Sequence, residues 1–143
     1  MKKIKLSDIG SLVGTNEQVE QKATQLFNGA TWRRIGEFKR DKWGSVLLSI
    51  SNTSATLTGR SLLINVIIAT NPVITTLSTI SSQIFTKGRI VANGGIAYLE
   101  VYHNNAANTQ AQIVASSAIE FNLYQTSQLG SVPEGATQFE FTF

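Results

Sequence analysis

The sequence predicts an all-β fold, an antiparallel β-sandwich, led by one short α-helix. Three observations carry this. From Trp32 onward apolar residues recur with a period of two, as in Val46, Leu48 and Ile50 against Leu47 and Ser49. Turn-forming clusters separate the runs: Asp41–Gly44, Ser51–Ser54, Thr70–Pro72, Asn104–Asn108 and Gly130–Gly135. No stretch of helical period lies between them. Eight or more short strands at this spacing point to a sandwich or jelly roll. A chain of 143 residues suits one such domain with a substantial core.

The helix is expected over Asn16–Asn28. Thr15 with Gln18, or Asn16, supplies the cap. Val19, Ala23, Leu26 and Phe27 form one helical stripe, and Gly29 stops it. Alone it is marginal, so it packs on its own domain or joins identical helices in a neck. Residues 1–30 thus read as an N-terminal segment and 31–143 as the sandwich.

The strand-like runs begin with Trp32–Phe38 and the alternation around Val46–Ile50. Leu62, Ile64, Val66 and Ile68 then form one face of a strand whose other face is Leu63, Asn65, Ile67 and Ala69. Apolar residues on both sides call for a second covering layer, either another sheet or a neighbouring subunit. Val73–Leu77 and Gln83–Phe85 follow. Lys87–Ala92 and Ile96–His103 flank Asn93-Gly94-Gly95, the clearest hairpin, since such residues supply positive φ. Gln112–Ala115, Ala118–Tyr124 and Gln138–Phe143 complete the set. In the last, Phe139, Phe141 and Phe143 alternate with Gln138, Glu140 and Thr142.

Charge is scarce, at 15% of residues, and Ser, Thr, Asn and Gln make up about a third of the chain. Residues 43–143 hold only Arg60, Lys87, Arg89, Glu100, Glu120, Glu134 and Glu140. A neutral surface of this kind is covered by uncharged polar groups or buried against copies of the same chain. The formal charge of +3 does not by itself call for nucleic acid. No apolar run is long enough for a membrane helix, and no apolar core follows Lys2, Lys3 and Lys5 as in a secretory signal.

The absence of Cys excludes disulfides and thiolate chemistry, and a single His excludes multi-His metal sites. There is no EF-hand spacing, Gly-rich phosphate loop or Gly-x-Ser-x-Gly, and no cofactor is implied. An enzyme would have to draw on Glu100, Glu120 and His103. The commoner fate of the two carboxylates is a paired or solvated strand position, and that of His103 a strand-end place at the surface or at an interface. Arg33, Arg34, Lys39, Arg40 and Lys42 lie between Trp32 and Trp43. On a regular strand Arg33 and Lys39 share one face and Arg34 and Arg40 the other, so the cluster reads as a solvated edge or an intersubunit salt-bridge zone before a polyanion site. Trp32 reads as a core residue; Trp43, on a turn, is a platform for a sugar ring or folds back on its strand. Tyr98, Glu100 and Tyr102 share a face suited to an interface or a binding surface. Asn104, Asn105 and Asn108 offer amides to hydroxyls, or simply turn the chain. The candidate contacts are therefore Trp43, Tyr102, His103, Asn104 and Asn105.

Trp32-Arg33-Arg34-Ile35-Gly36-Glu37, Lys87-Gly88-Arg89-Ile90-Val91, Ala97-Tyr98-Leu99-Glu100-Val101-Tyr102, and Val132-Pro133-Glu134-Gly135 followed by Phe139-Glu140-Phe141 carry a resemblance. From about Ala30 to Phe143 the chain resembles the distal C-terminal domains of bacteriophage tail fibres, tailspikes and appendage proteins. The resemblance implies a homotrimeric knob similar to the jelly rolls of the tumour-necrosis-factor family. It implies a virion protein made in the bacterial cytoplasm, non-enzymatic, without nucleic acid or membrane insertion, that attaches to a host cell-surface polysaccharide. In some relatives the domain is an intramolecular chaperone that cleaves itself off; no cleavage motif matches here. A trimerisation or capping domain without ligand is the first alternative, and a glycan-degrading enzyme with its site between subunits the second.

Overall fold

The computed structural model describes residues 19–39, 44–52, 61–68, 71–80, 84–117 and 120–143. Among the described residues ten strands are formed: β1 (Val19–Phe27), β2 (Thr31–Lys39), β3 (Gly44–Asn52), β4 (Ser61–Ile68), β5 (Val73–Ile80), β6 (Phe85–Asn93), β7 (Ile96–His103), β8 (Thr109–Ser117), β9 (Phe121–Leu129) and β10 (Thr137–Thr142). Every pairing is antiparallel. The first sheet has the order β1-β8-β3-β4-β5 and the second β10-β6-β7-β2-β9. The expected sandwich is present. Consecutive strands change sheets at β1–β2, β2–β3, β5–β6, β7–β8 and β8–β9, as most do in a jelly roll, and the winding departs from that pattern elsewhere. Here β3, β4 and β5 follow one another in one sheet, because short connections leave sequence neighbours side by side.

The core lies between the sheets. Alternation aims Val46, Leu48 and Ile50 of β3, Ile64 and Val66 of β4, and Ala111, Ile113 and Ala115 of β8 at Ile35, Phe38, Ile90, Leu99, Val101, Phe121 and Leu123 of the second sheet. Phe141 of the edge strand β10, and Phe143 just beyond it, pack against this cluster. Gly88 makes room for them: a Cβ there would stand 2.6 Å from the ring of Phe143. The β6–β7 hairpin closes through Gly94 and Gly95, with Asn93 paired to Ile96. Gly94 alone of the two turn residues has positive φ, 63°, which is the pattern of a type II′ turn. Asn93 is therefore the last strand residue and not a turn residue.

The helix expected over Asn16–Asn28 is corrected by β1 across its described part: Val19–Phe27 is a strand, paired over its full length with β8. Its inward face is Ala23, Gln25 and Phe27, whereas Leu26, counted in the helical stripe, is exposed. Nine residues of ladder with a partner outweigh a weak local preference for helix. The sandwich accordingly takes in β1, N-terminal to the expected entry at residue 31. Residues 16–18 of that helix, and residues 118–119 of the run beginning at Ala118, lie outside the described residues.

Two glutamines hide the strand signal because they do structural work inside. β1 and β9 are edges of opposite sheets and close one flank of the sandwich. Gln21 donates from Nε2 to Phe121 O and accepts from Leu123 N at 2.9 Å. Gln25, fully buried, donates from Nε2 to Ile35 O at 3.1 Å and to Tyr124 O at 2.6 Å. These amides serve backbone groups where the β2–β9 ladder breaks, between Gly36↔Leu123 and Arg34↔Gln128.

Candidate functional site

The outer face of the second sheet gathers the chemistry. In register across β6, β7 and β2, one row is Lys87, Tyr102 and Trp32, and the next is Arg89, Glu100 and Arg34. Period-two alternation turns all six away from the core. The bulge at Ile35 in β2 resets the alternation. Arg34 and Glu37 then both face outward while Arg33, Ile35 and Phe38 face inward. Lys39 consequently emerges on the face opposite to Arg33, contrary to the regular-strand expectation, and pairs with Glu120 at 3.2 Å.

Glu100 is fully buried although it lies on an outer face. Its Oε1 accepts from Arg34 Nε at 3.0 Å, Arg34 Nη2 at 2.9 Å and Ser131 N at 3.2 Å; its Oε2 accepts from Arg89 Nε at 2.6 Å. The link from β9 to β10 covers it. Gly130 donates to Trp32 O at 2.9 Å, and a Cβ at Gly130 would meet Glu100 Oε2 at 2.6 Å. Only a residue without a side chain fits under that crossing. The link turns back through Pro133–Ala136, where Ala136 N bonds Pro133 O at 3.1 Å and Gly135 takes φ of 80°, as the third position of a type II turn requires.

Aromatic rings cover the remaining faces of the cations. Arg34 Cζ stands 3.6 Å from the Tyr98 ring centroid and Arg89 Cζ 4.1 Å from that of Trp32. Lys87 Nζ lies 5.1 Å from both the Trp32 and the Tyr102 rings, which meet edge-on at 5.4 Å. At the margin Lys87 pairs with Glu140 at 3.1 Å, and Arg89 Nη1 approaches Gln138 Oε1 at 3.4 Å. Trp32, Tyr102 and Lys87 are partly open to solvent. The result is a closely packed band of aromatic rings and cations with amide and carboxylate groups at its rim.

The five sequence candidates do not form one surface. Trp43 lies outside the described residues, as do Arg40 and Lys42. Tyr102 belongs to the band. His103 points the other way and is withdrawn into the core, between the rings of Phe27 and Phe85. Its Nδ1 is 2.7 Å from Gly29 O and its Nε2 2.8 Å from Thr109 Oγ1. A carbonyl only accepts, so Nδ1 carries the proton and Nε2 accepts from the threonine hydroxyl. Burial lowers its pKa below the ordinary 6.5. Asn104 donates its backbone N–H to Ile84 O at 2.6 Å, and Asn105 Oδ1 accepts from Ala107 N at 3.1 Å, an Asx turn carrying the chain from β7 to β8.

Of the carboxylates weighed for catalysis, Glu100 is neutralised by two guanidinium groups and Glu120 is held in an exposed pair with Lys39. Among the described residues no group of three or more His, Cys, Asp or Glu is placed to hold a metal ion, and no helix is long and apolar enough to cross a membrane. Tyr124, on β9, donates to Glu37 Oε2 at 2.7 Å; burial, reinforced by that bond, raises its pKa well above 10. Sequence reasoning missed the joining of Arg34, Arg89 and Glu100 and the place of Trp32 and Lys87. The available signal was the Tyr98-Glu100-Tyr102 face. Comparison with family models, curated proteins and solved structures finds no match.

Proposed function

We propose that the chain is a non-enzymatic attachment module of a virion: the homotrimeric distal domain of a bacteriophage tail fibre or tailspike, which holds a host cell-surface polysaccharide on the outer face of the second sheet. The observation that supports this most is the Trp32–Tyr102–Lys87 row, a partly open aromatic pair beside a cation, backed by the buried Arg34–Glu100–Arg89 group. Aromatic rings stack on the C–H faces of sugar rings, and Lys87, Gln138 and Glu140 offer donors and acceptors to hydroxyls. A preorganised site loses little entropy on binding. Three copies multiply a weak single-site affinity by about 10²–10⁴ on a repetitive surface.

Retention of the purified chain on host cell-wall polysaccharide, with and without Tyr102→Ala and Lys87→Ala, tests the reading. Retention lost in both variants, with the fold intact by circular dichroism, is expected. Retention unchanged in both removes the site. A trimer with no retention on any susceptible host leaves the capping or trimerisation role.

A further inference from the structure

The two outer faces of the sandwich differ in kind. The strands β8, β3, β4 and β5 are contiguous in the first sheet and contain no ionisable residue at all. Among the described residues the charges of that sheet are Glu20 and Lys22, on β1. Leu47, Ile67, Val73 and Leu77 are 39, 42, 44 and 54% exposed there, and Leu63 and Val114 are half-buried. They alternate in register with small polar groups: Leu47 opposite Ser116 and Asn65, Ser49 opposite Val114 and Leu63, Ser45 opposite Ile67.

We infer that this outer face of β8, β3, β4 and β5 is the surface on which copies of the chain join, an inference that rests on the homotrimeric reading above. Charge chooses the occupant. A charged partner finds no counter-ion on the face. Residues 1–18 of the same chain carry Lys2, Lys3, Lys5, Asp8 and Glu17, for which the face offers nothing. Further copies of the same face, set around a threefold axis, bring hydroxyls, amides and aliphatic groups and no repulsion. The size is adequate: four strands about 4.8 Å apart and eight residues long, at about 3.4 Å each, give a flat footprint of roughly 500 Å² before side-chain relief is counted. That is the scale of the ~800 Å² per partner of a stable interface. Packing this face inward leaves the aromatic and cationic band turned outward, where a ligand reaches it.

Light scattering on the full chain at about 1 to 100 µM tests the assignment, with Thr75→Arg and Leu47→Lys on this face and Asn122→Arg on the opposite one. Thr75 is already polar and exposed, so its variant folds without losing a core contact. Wild type is expected at a multiple of 15.5 kDa. The two variants on this face raise the dissociation constant by about 100-fold or more, since like charges then meet across a desolvated surface; Asn122→Arg does not. A single-copy wild type at 100 µM overturns both this assignment and the homotrimer. An assembly that ignores Thr75→Arg and Leu47→Lys, or one that Asn122→Arg disperses, overturns the face and leaves the homotrimer standing.

Discussion

Replacing Glu100 by Gln removes one charge and almost no volume, so it isolates electrostatics from packing. In the native chain the carboxylate is fully buried, and the Arg34 and Arg89 side chains are only 13 and 9% exposed. The substitution strands two guanidinium groups that water barely reaches. Breaking a buried pair from one side costs about 3–5 kcal/mol, most of it the desolvation of the charge left behind. Each arginine keeps a weaker partner. Arg34 has Ser131 O at 3.2 Å and the Tyr98 ring; Arg89 has Gln138 and the Trp32 ring. We therefore expect the lower part of that range, about 3 kcal/mol, and a melting temperature lower by roughly 10 °C for a chain of this size. The assay is urea unfolding at one fixed protein concentration, because association also shifts apparent stability. The midpoint falls with an unchanged slope. Glu120→Gln, which breaks the exposed pair with Lys39, is the control and changes stability by less than about 1 kcal/mol. Replacing Arg34 and Arg89 by Met together with Glu100 by Leu restores most of the loss, since no buried charge is then unpaired. An E100Q variant within 1 kcal/mol of wild type would refute the reasoning.

Protonation of His103 opposes folding. Its folded pKa is depressed, so its contribution is complete above 6.5 and drains away as pH falls through 6.5 toward the depressed value. Wild-type stability should decline across that window, and His103→Gln should flatten the His103 component; equal slopes in the two proteins count against the buried, neutral ring. Gln25→Met leaves Ile35 O and Tyr124 O without their donor and is expected to cost about 2–6 kcal/mol by denaturant unfolding, at about 1–3 kcal/mol for each orphaned acceptor. Deleting Phe139–Phe143 strips most of β10 from β6 and takes Phe141 and Phe143 from the core; at about 1.5–3 kcal/mol for each buried Phe, a truncated chain that melts with the full one contradicts this packing.

Much of the fold is legible in the chain because one buried face leaves a period of two. Val46, Leu48 and Ile50 show it, and the Ile96–His103 strand is read to the residue. The pattern of Phe139, Phe141 and Phe143 places their face correctly as well. β1 is not legible. Gln21 and Gln25 occupy positions that in most strands would be apolar, and their reason for being there is a set of backbone groups on β9 about a hundred residues away. Without β9 in view, the surviving apolar residues happen to fit a helical stripe.

The order of the residues alone settled where charge is absent: no ionisable side chain from residue 61 to residue 86, nor from 109 to 117. Local periodicity settled that Leu62–Ile68, Val73–Leu77 and Gln112–Ala115 within them form strands. Which strands lie side by side was decided only by the folded molecule, and with it the fact that the uncharged strands are neighbours. The same holds for the burial of Glu100. A residue on the outer face of a strand reads as solvated, because the sequence cannot show that a link thirty residues further on crosses above it. Burial and ionic pairing depend on what the rest of the chain brings into contact, and that information is held in no local window.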